Sequence, residues 1–281
     1  MAAIEAIKVD PQLHNNLQEF LPSVLARCVR HGSIDSVRYL LECEAVPIAS
    51  LSPLTVAANS SIALLELLLA HGWDINKAEA DGYLRGHKLI DLVCDNHELV
   101  QWLVGHGARV TDGEVDNYEL ALQPAPLLET CATRGSVATF RFLQSKGALI
   151  GQRTLHRAAG EAAAFGTDPF ADFKEVQDGA IEDNARKRRE RAEMLVFLVD
   201  EMKLNINAMD AMIPDRANHW GTPLCYAAVK ERGAHVVRWL LEKGAQPTVE
   251  TVQNVADAEA LAQFTGCVEN ARILREWKRT R

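Results

Sequence analysis

Aromatic residues, paired cysteines and long apolar runs are scarce or missing in this sequence. Aromatics make up 6% of its 281 residues, and none of the six cysteines belongs to a Cys-x-x-Cys pair. This cysteine usage disfavours zinc sites and disulfide frameworks, and it predicts a protein of the cytoplasm or nucleus. The sequence has no apolar run long enough for a membrane span, and the charges within MAAIEAIKVD argue against a secretory signal.

Catalytic and nucleotide-binding motifs are missing as well. The sequence contains no G-x-S-x-G, H-E-x-x-H, Walker loop or G-x-G-x-x-G, and its nine histidines are scattered. We therefore predict no catalytic residue, no metal site and no cofactor. The formal net charge of −8 argues against general binding of nucleic acid, because such binding needs a concentrated basic face.

One short basic run departs from this acidic balance. Its members are Arg186, Lys187, Arg188 and Arg189. Such a run is typical of a nuclear-import signal or of a contact for an acidic partner. The alternative, which we favour, is a solvated helix start whose charge is balanced by the acidic residues before it.

The sequence does contain a recurring pair of short helices. In GTPLCYAAVKERGAHVVRWLLEKGA, Thr222 and Pro223 suit the start of a helix, and the Val-Val-x-x-Leu-Leu run gives a second helix one apolar face. Gly244 is expected to end that helix in a left-handed conformation. Residues 32–45 and 135–148 align with each other without gaps and follow the same plan.

These segments resemble ankyrin repeats, whose pattern runs roughly G-x-T-P-L-H-x-A-A, then a Gly-led helix with V-x-x-L-L, then G-A-D-x-N. The parts are divided between copies, with GTPL at 221–224, TLHRAA at 154–159 and GWDIN at 72–76. The resemblance implies an all-α ankyrin-repeat solenoid of stacked antiparallel helix pairs with projecting hairpin loops. It also implies a protein-interaction role, although ankyrin arrays serve many functions.

The repeat pattern predicts a single domain over residues 1–281. Residues 1–20 are expected to form an N-terminal capping helix, 21–248 about six repeats, and 249–281 the C-terminal capping helices. An insertion at 160–191 interrupts the fifth repeat between its two helices. Long insertions of this kind in compact repeats are usually functional or disordered.

The alignment of the repeats also separates structural residues from candidates for binding. Thr154, His156, Thr222 and Pro223 stand in the family's T-P-L-H motif, so the resemblance implies structural roles for them. The aligned first helices place a variable position toward the family's concave groove, and the 208–220 loop forms a long finger beside it. The partner-binding candidates on these two features are Asp91, Glu129, Arg157, His219, Trp220 and Tyr226.

Each of these assignments has an alternative. Glu129 and Arg157 also suit a surface ion pair that is worth little energetically, and Trp220 also suits packing beneath its own hairpin. For the whole chain, the alternative function is a small-molecule-binding protein or enzyme with a pocket between the concave face and the 77–88 and 208–220 loops. An enclosed apolar pocket there would favour this function, and an open groove would favour a monomeric protein that binds another protein.

Overall fold

The computed structural model describes most of the chain, which divides into two compact units. The described residues are 11–111, 125–169, 179–210, 221–250 and 255–280, with the side chains of 11–18 and 179–183 left aside. The first unit comprises 1–93 and 98–109, and the second comprises 94–97 and 110–281.

Fourteen α-helices supply almost all of the regular structure in the described residues. They are α1 (Pro11–Arg30), α2 (Ile34–Glu42), α3 (Pro53–Ala57), α4 (Ile62–Ala70), α5 (Leu89–Leu92), α6 (His97–Gly105), α7 (Leu127–Arg134), α8 (Val137–Ser145), α9 (Thr154–Ala164), α10 (Gly179–Val196), α11 (Pro223–Ala228), α12 (Ala234–Glu242), α13 (Ala258–Phe264) and α14 (Val268–Thr280). A short antiparallel sheet pairs β1 (Thr248–Glu250) with β2 (Val255–Asp257). The predicted all-α class is confirmed, and only this small sheet was not expected.

Within each unit the helices alternate between two layers. In the first unit α1, α3 and α5 pack one against the next, and α2 packs on α4. In the second unit α7, α9, α11 and α13 form one row, while α8 contacts α10 and α12 contacts α14. Buried Leu128, Ala159 and Leu224 belong to the first row of that unit. Each unit is therefore a stack of helix pairs, as the repeat pattern predicts.

The N-terminal helix runs across the boundary that was predicted between the cap and the first repeat. A single helix covers Pro11–Arg30, so no helix ends at residue 20. Leu21, Leu25 and Val29 are buried at intervals of four residues along it. This spacing puts them on one face, and continuing the same helix keeps that face against the core. Residues 1–10 lie outside the described part of the chain.

In the described residues, the second helix of each of the six repeats is followed within three residues by a residue with positive φ. These residues are Ala45, Gly72, Gly107, Gly147, Lys203 and Gly244. The next N–H then bonds back to the last turn, as from Ala245 to the carbonyl oxygen of Leu240 at 2.9 Å. Left-handed backbone is unfavourable for residues with a Cβ atom, which is why glycine stands at four of the six positions.

We expect Lys203→Gly to stabilise the protein by about 0.5–1 kcal/mol. Lys203 has a φ of 56°, and glycine removes the steric cost of that conformation while adding some freedom to the unfolded chain. Urea unfolding should show a higher midpoint with an unchanged slope. Gly244→Lys is the reciprocal control and should destabilise the protein, and a lower midpoint for Lys203→Gly would contradict the helix-end geometry.

Two asparagines at matching repeat positions tie neighbouring repeats together. The Asn76 side chain donates to the carbonyl oxygen of Gly107 at 3.0 Å and accepts the N–H of Arg109 at 2.7 Å. The Asn207 side chain donates to the carbonyl oxygen of Gly244 at 3.3 Å and accepts the N–H of Gln246 at 2.8 Å. Each asparagine amide therefore hydrogen-bonds to backbone groups of the following repeat, in the loop after that repeat's second helix.

Both ends of the predicted insertion belong to helices. Residues 160–164 extend α9, where Ala162 and Ala163 are fully buried, and residues 179–191 lie in α10. The α10 helix continues into a π-helical turn over Phe197–Glu201. The part of the insertion outside these helices is therefore limited to 165–178, of which 170–178 lie outside the described residues.

Arg191 fastens α10 to the end of α7. Its guanidinium is buried and donates to three backbone carbonyls, those of Thr133, Arg134 (2.8 Å) and Gly135 (2.7 Å). A cation at the C-terminal end of a helix satisfies carbonyls that have no partner within the helix. The residue that closes the basic segment thus has a structural role.

The last two helices, α13 and α14, pack against each other. Asn270 is buried in α14 and donates to the carbonyl oxygens of Ala228 (2.8 Å) and Lys230 (2.7 Å), which lie at and just after the end of α11.

Among the helices of the described residues, none combines the length and apolar character needed to span a bilayer. The same part of the chain contains no cluster of His, Cys, Asp and Glu suited to hold a metal ion.

Candidate functional site

Three of the predicted groove residues lie side by side in the second unit. Glu129 is on α7, Arg157 on α9 and Tyr226 on α11, which are consecutive helices of one row. Arg153 and Asp210 join them. We call these five residues the charged cluster.

Opposite charges alternate through the charged cluster. Arg157 Nη1 lies 3.4 Å from Glu129 Oε1, and Glu129 Oε2 accepts the backbone N–H of Arg153 at 3.2 Å. Arg153 Nε lies 3.0 Å from Asp210 Oδ1, while the Tyr226 hydroxyl donates to Asp210 Oδ2. The cluster therefore links three repeats through polar contacts.

The cationic groups of the cluster are nearer to solvent than the anionic groups. The Glu129 and Asp210 side chains are only 5% and 2% exposed, whereas those of Arg157 and Arg153 are 34% and 26% exposed. Both carboxylates are therefore buried, whereas both arginine side chains are partly exposed at the surface. The cluster thus presents positive charge outward, although its formal charges balance.

Burial is the main cause of the pKa shifts of Glu129 and Tyr226. Desolvation raises the pKa of Glu129, and the nearby Arg157 and Arg153 offset only part of that rise. Desolvation also raises the pKa of Tyr226 above its usual value, and the hydrogen bond to Asp210 adds to the rise. The Tyr226 hydroxyl therefore remains a donor over the physiological pH range.

A glycine makes room for the buried carboxylate. A Cβ atom on Gly151 would lie 2.4 Å from Glu129 Oε2 and 3.1 Å from the Pro126 ring. Any larger residue at this position would push Glu129 away from the start of α9. The link between α8 and α9 is therefore packed directly on the charged cluster.

His156 braces the cluster from inside the protein. Its Nε2 atom lies 2.9 Å from the carbonyl oxygen of Ala208, and its ring meets the Tyr226 ring edge-on at 5.3 Å. Thr154, the other member of that motif, donates to the carbonyl oxygen of Gly151 at 2.8 Å. Desolvation lowers the pKa of His156, so the buried ring is neutral.

We expect the stability contributed by His156 to be lost in acid. Its folded pKa lies below the unfolded value of 6.5, so the unfolded chain takes up a proton first as pH falls. Stability should therefore drop below about pH 6.5, by up to about 1.4 kcal/mol for each pH unit until the folded pKa is reached. Urea unfolding at pH 7.5 and 5.5 measures this loss.

His156→Gln is the matched variant for that experiment, because glutamine retains a donor but does not titrate. The wild type should lose more stability than the variant over this range, by no more than about 1.4 kcal/mol for the single pH unit below 6.5. The raised pKa of Glu129 acts with the opposite sign in both proteins and cancels in the comparison. Equal losses in the two proteins would contradict a buried neutral ring.

The remaining predicted residues have separate positions. Asp91, in the first unit, accepts the backbone N–H of Lys88 at 2.7 Å, so its carboxylate caps the start of α5. Thr222 precedes Pro223 at the start of α11, but its hydroxyl is directed at Cys225 Sγ, 3.5 Å away, and makes no capping bond. His219 and Trp220 lie outside the described residues.

The four basic residues Arg186, Lys187, Arg188 and Arg189 all belong to α10. Arg186 pairs with Glu190 across one turn at 3.5 Å, and Arg188 is exposed. Arg188 also lines a small open pocket of about 280 Å³ together with Ala164, Phe165, Asn184 and Arg232. A second pocket, of about 420 Å³, lies between the 244–248 link and α14. Neither pocket is lined by the charged cluster.

Two members of the charged cluster were missed in the sequence. Arg153 stands four residues before Arg157, a spacing that places both on one side of a helix. This signal was available in the sequence. Asp210 lies in the 208–220 loop, and no local pattern connects it with Tyr226, because the two residues are 16 apart in the chain and meet only in the folded protein.

Comparison with known proteins identifies the repeat. Residues 221–252 match the family model described as the ankyrin repeat. The structure of the human ASB11 ankyrin repeat domain is similar to this chain, with a TM-score of 0.53 and 16% identity, covering 89% of this chain and 96% of that one. No curated protein sequence matched the chain.

Proposed function

The chain is an ankyrin-repeat protein by its fold and by the repeat at 221–252, and from this premise we propose that it binds a partner protein. Ankyrin-repeat folds generally mediate interactions between proteins. The proposed binding face consists of the charged cluster and the adjacent residues Leu149 and Ile150. This face lies entirely within the second unit.

The observation that supports this face is a short segment in which exposed apolar residues are followed by partly exposed arginines. Leu149 is 69% exposed, Ile150 is also exposed, and the next residue, Gly151, touches Glu129. Arg153 and Arg157, whose side chains are partly exposed, therefore follow these apolar residues closely along the chain. Arginine and large apolar residues are favoured at protein interfaces.

The scaffold beneath this face is already ordered. Glu129 and Asp210 fix the two arginines, and His156 packs against the Tyr226 ring. Side chains that are held before binding lose less conformational entropy when a partner arrives. A row of braced side chains on stacked helices is thus suited to recognising a folded surface or an extended segment.

The small-molecule or enzyme alternative receives less support. Its pocket would need residues 211–220, which lie outside the described part of the chain. The pockets lined by Arg188 and by Trp277 are elsewhere. The interaction function therefore accounts for more of the described residues.

Several finer points belong to the same proposal. We propose a monomer located in the cytoplasm or nucleus, with the basic residues of α10 as candidates for an import signal or for a contact with an acidic partner. The finger residues His219 and Trp220 are proposed as further partner contacts. Asp91 is left out of the binding face because its carboxylate caps α5.

The proposal is tested by purifying tagged protein from cells and quantifying the proteins that accompany it. Leu149→Asp places a charge on the binding face, and Val268→Asp places one on α14, where Val268 is 77% exposed. The two substitutions match in kind and nearly in exposure. A third variant, Arg188→Glu, reverses one charge of the basic segment.

At least one accompanying protein should fall ten-fold or more with Leu149→Asp and remain unchanged with the other two variants. Circular dichroism should show all three variants folded, since each residue is exposed. The proposed face would be wrong if every accompanying protein persisted with Leu149→Asp. Loss with Arg188→Glu alone would instead assign recognition to α10.

A further inference from the structure

We infer that the partner segment recognised at the charged cluster is acidic, with two carboxylates held by Arg153 and Arg157. This inference rests on the proposed function and deepens it. The inference depends on which N–H groups of Arg153 and Arg157 contact acids within the cluster and which face solvent.

Each guanidinium makes a single contact with an acidic side chain in the described residues. Arg153 Nε lies 3.0 Å from Asp210 Oδ1 in an ion pair, and Arg157 donates from Nη1 to Glu129 Oε1 at 3.4 Å. A guanidinium has five N–H donors arranged as a fork that matches a carboxylate. Within the described residues, most donors of both arginines have no acidic partner, and the two side chains are 26% and 34% exposed.

The buried carboxylates give these arginines a fixed orientation. Glu129 and Asp210 are almost fully buried, so they neutralise the inner side of each guanidinium without competing at the surface. An arginine oriented by a buried acid is ready for a second, outward carboxylate. The Tyr226 hydroxyl already donates its hydrogen to Asp210. The two arginines are therefore the groups of this face that can donate to a ligand.

Spacing restricts the form of the ligand. Arg153 is the N-cap of α9, and the N–H of Arg157 bonds to its carbonyl oxygen at 2.8 Å. The two residues are therefore one turn apart, and at that separation Cβ atoms on a helix are about 5–6 Å apart. In an extended segment, alternate residues lie on the same side and about 6.6 Å apart. An acid-x-acid sequence in extended conformation thus presents two carboxylates at nearly the spacing of Arg153 and Arg157. The exposed Leu149 favours an apolar residue beside that pair.

A protein segment fits this cluster better than a nucleic acid does. Phosphates also bind arginine, but nucleic-acid recognition depends on many cations along a stripe. Here two guanidiniums stand on a chain with a net charge of −8. Long-range attraction for a polyanion is therefore weak, and recognition depends on short-range contacts with a few carboxylates.

The test begins with a display library of random dodecapeptides. Peptides are selected on the immobilised wild-type chain in the presence of excess soluble Arg153→Gln/Arg157→Gln protein. The competitor removes peptides that bind elsewhere. The peptides that remain should be enriched in acid-x-acid sequences, and the best of them is then labelled for fluorescence polarisation.

Its affinity should fall ten-fold or more for the Arg153→Gln/Arg157→Gln protein. Arg238→Gln/Arg272→Gln removes the same charge from the exposed surface of α12 and α14, and its affinity should stay within two-fold. Changing both acids of the peptide to amides should also weaken binding ten-fold or more. This last comparison uses the wild-type chain alone, so it holds even if the cluster variant is less stable.

Three results would overturn the inference. Selected peptides without acidic enrichment would do so, as would equal affinity for the amide peptide. Stronger binding of single-stranded oligothymidine than of any peptide, displacing it from the cluster, would assign the arginines to phosphate. If non-acidic peptides bind and are lost with Leu149→Asp, the proposed function stands and only the acidic preference fails.

Discussion

Leu240→Ala is expected to lower the free energy of unfolding by about 2–5 kcal/mol. Leu240 is fully buried in α12, next to the equally buried Leu241. The helix packs against α11, α9 and α14, so the space left by the missing side chain is enclosed by three neighbours. Those neighbours are fixed by their own contacts and can fill the cavity only in part.

Denaturant unfolding measures the loss as a lower midpoint with the slope unchanged. Leu149→Ala is the matched control, because it removes the same atoms from an exposed site. The control should change stability by less than about 0.5 kcal/mol. A similarly small effect of Leu240→Ala would contradict the register of α12.

Arg191→Met is expected to cost about 3–5 kcal/mol. Methionine has comparable length and helix propensity, but it donates nothing to the carbonyls of Thr133, Arg134 and Gly135. Each buried acceptor that loses its donor costs about 1–3 kcal/mol. Desolvation already lowers the pKa of Arg191, so part of this cost is offset when the buried cation is removed.

The control is Arg188→Met, which lies one turn earlier on the same helix at an exposed position. It should leave the unfolding midpoint almost unchanged. The comparison separates the hydrogen bonds of Arg191 from the general loss of one positive charge on α10. Near-equal stability of the two variants would contradict the fastening of α10 to α7.

The features predicted from the sequence are those governed by local patterns. The Val-Val-x-x-Leu-Leu run gave the buried face of α12, and Gly244 adopts the expected left-handed conformation. The pairing of Glu129 with Arg157 also followed from aligning first helices, since the repeat fixes which positions become neighbours. These properties depend on helix period and repeat length alone.

The features that were missed depend on how distant segments pack. Arg191 stands at the end of a basic segment and looks solvated until α7 is placed beside it. Asp91 occupies a groove position in the alignment, but its carboxylate accepts a hydrogen bond from the N–H of Lys88. Asp210 and Tyr226 are distant in the chain and meet only in the folded protein. These partners cannot be predicted from local sequence, because the tertiary structure decides which hydrogen-bonding groups lie close together.

Site-specific photo-cross-linking in cells tests the central claim most directly. A benzophenone amino acid replaces Leu149 on the binding face or, in a separate protein, Phe264 on the exposed end of α13. A defined adduct should form at residue 149, weaken with Arg153→Gln/Arg157→Gln and be missing at residue 264. An adduct at residue 264 with none at residue 149 would contradict recognition by the charged cluster and the face around it.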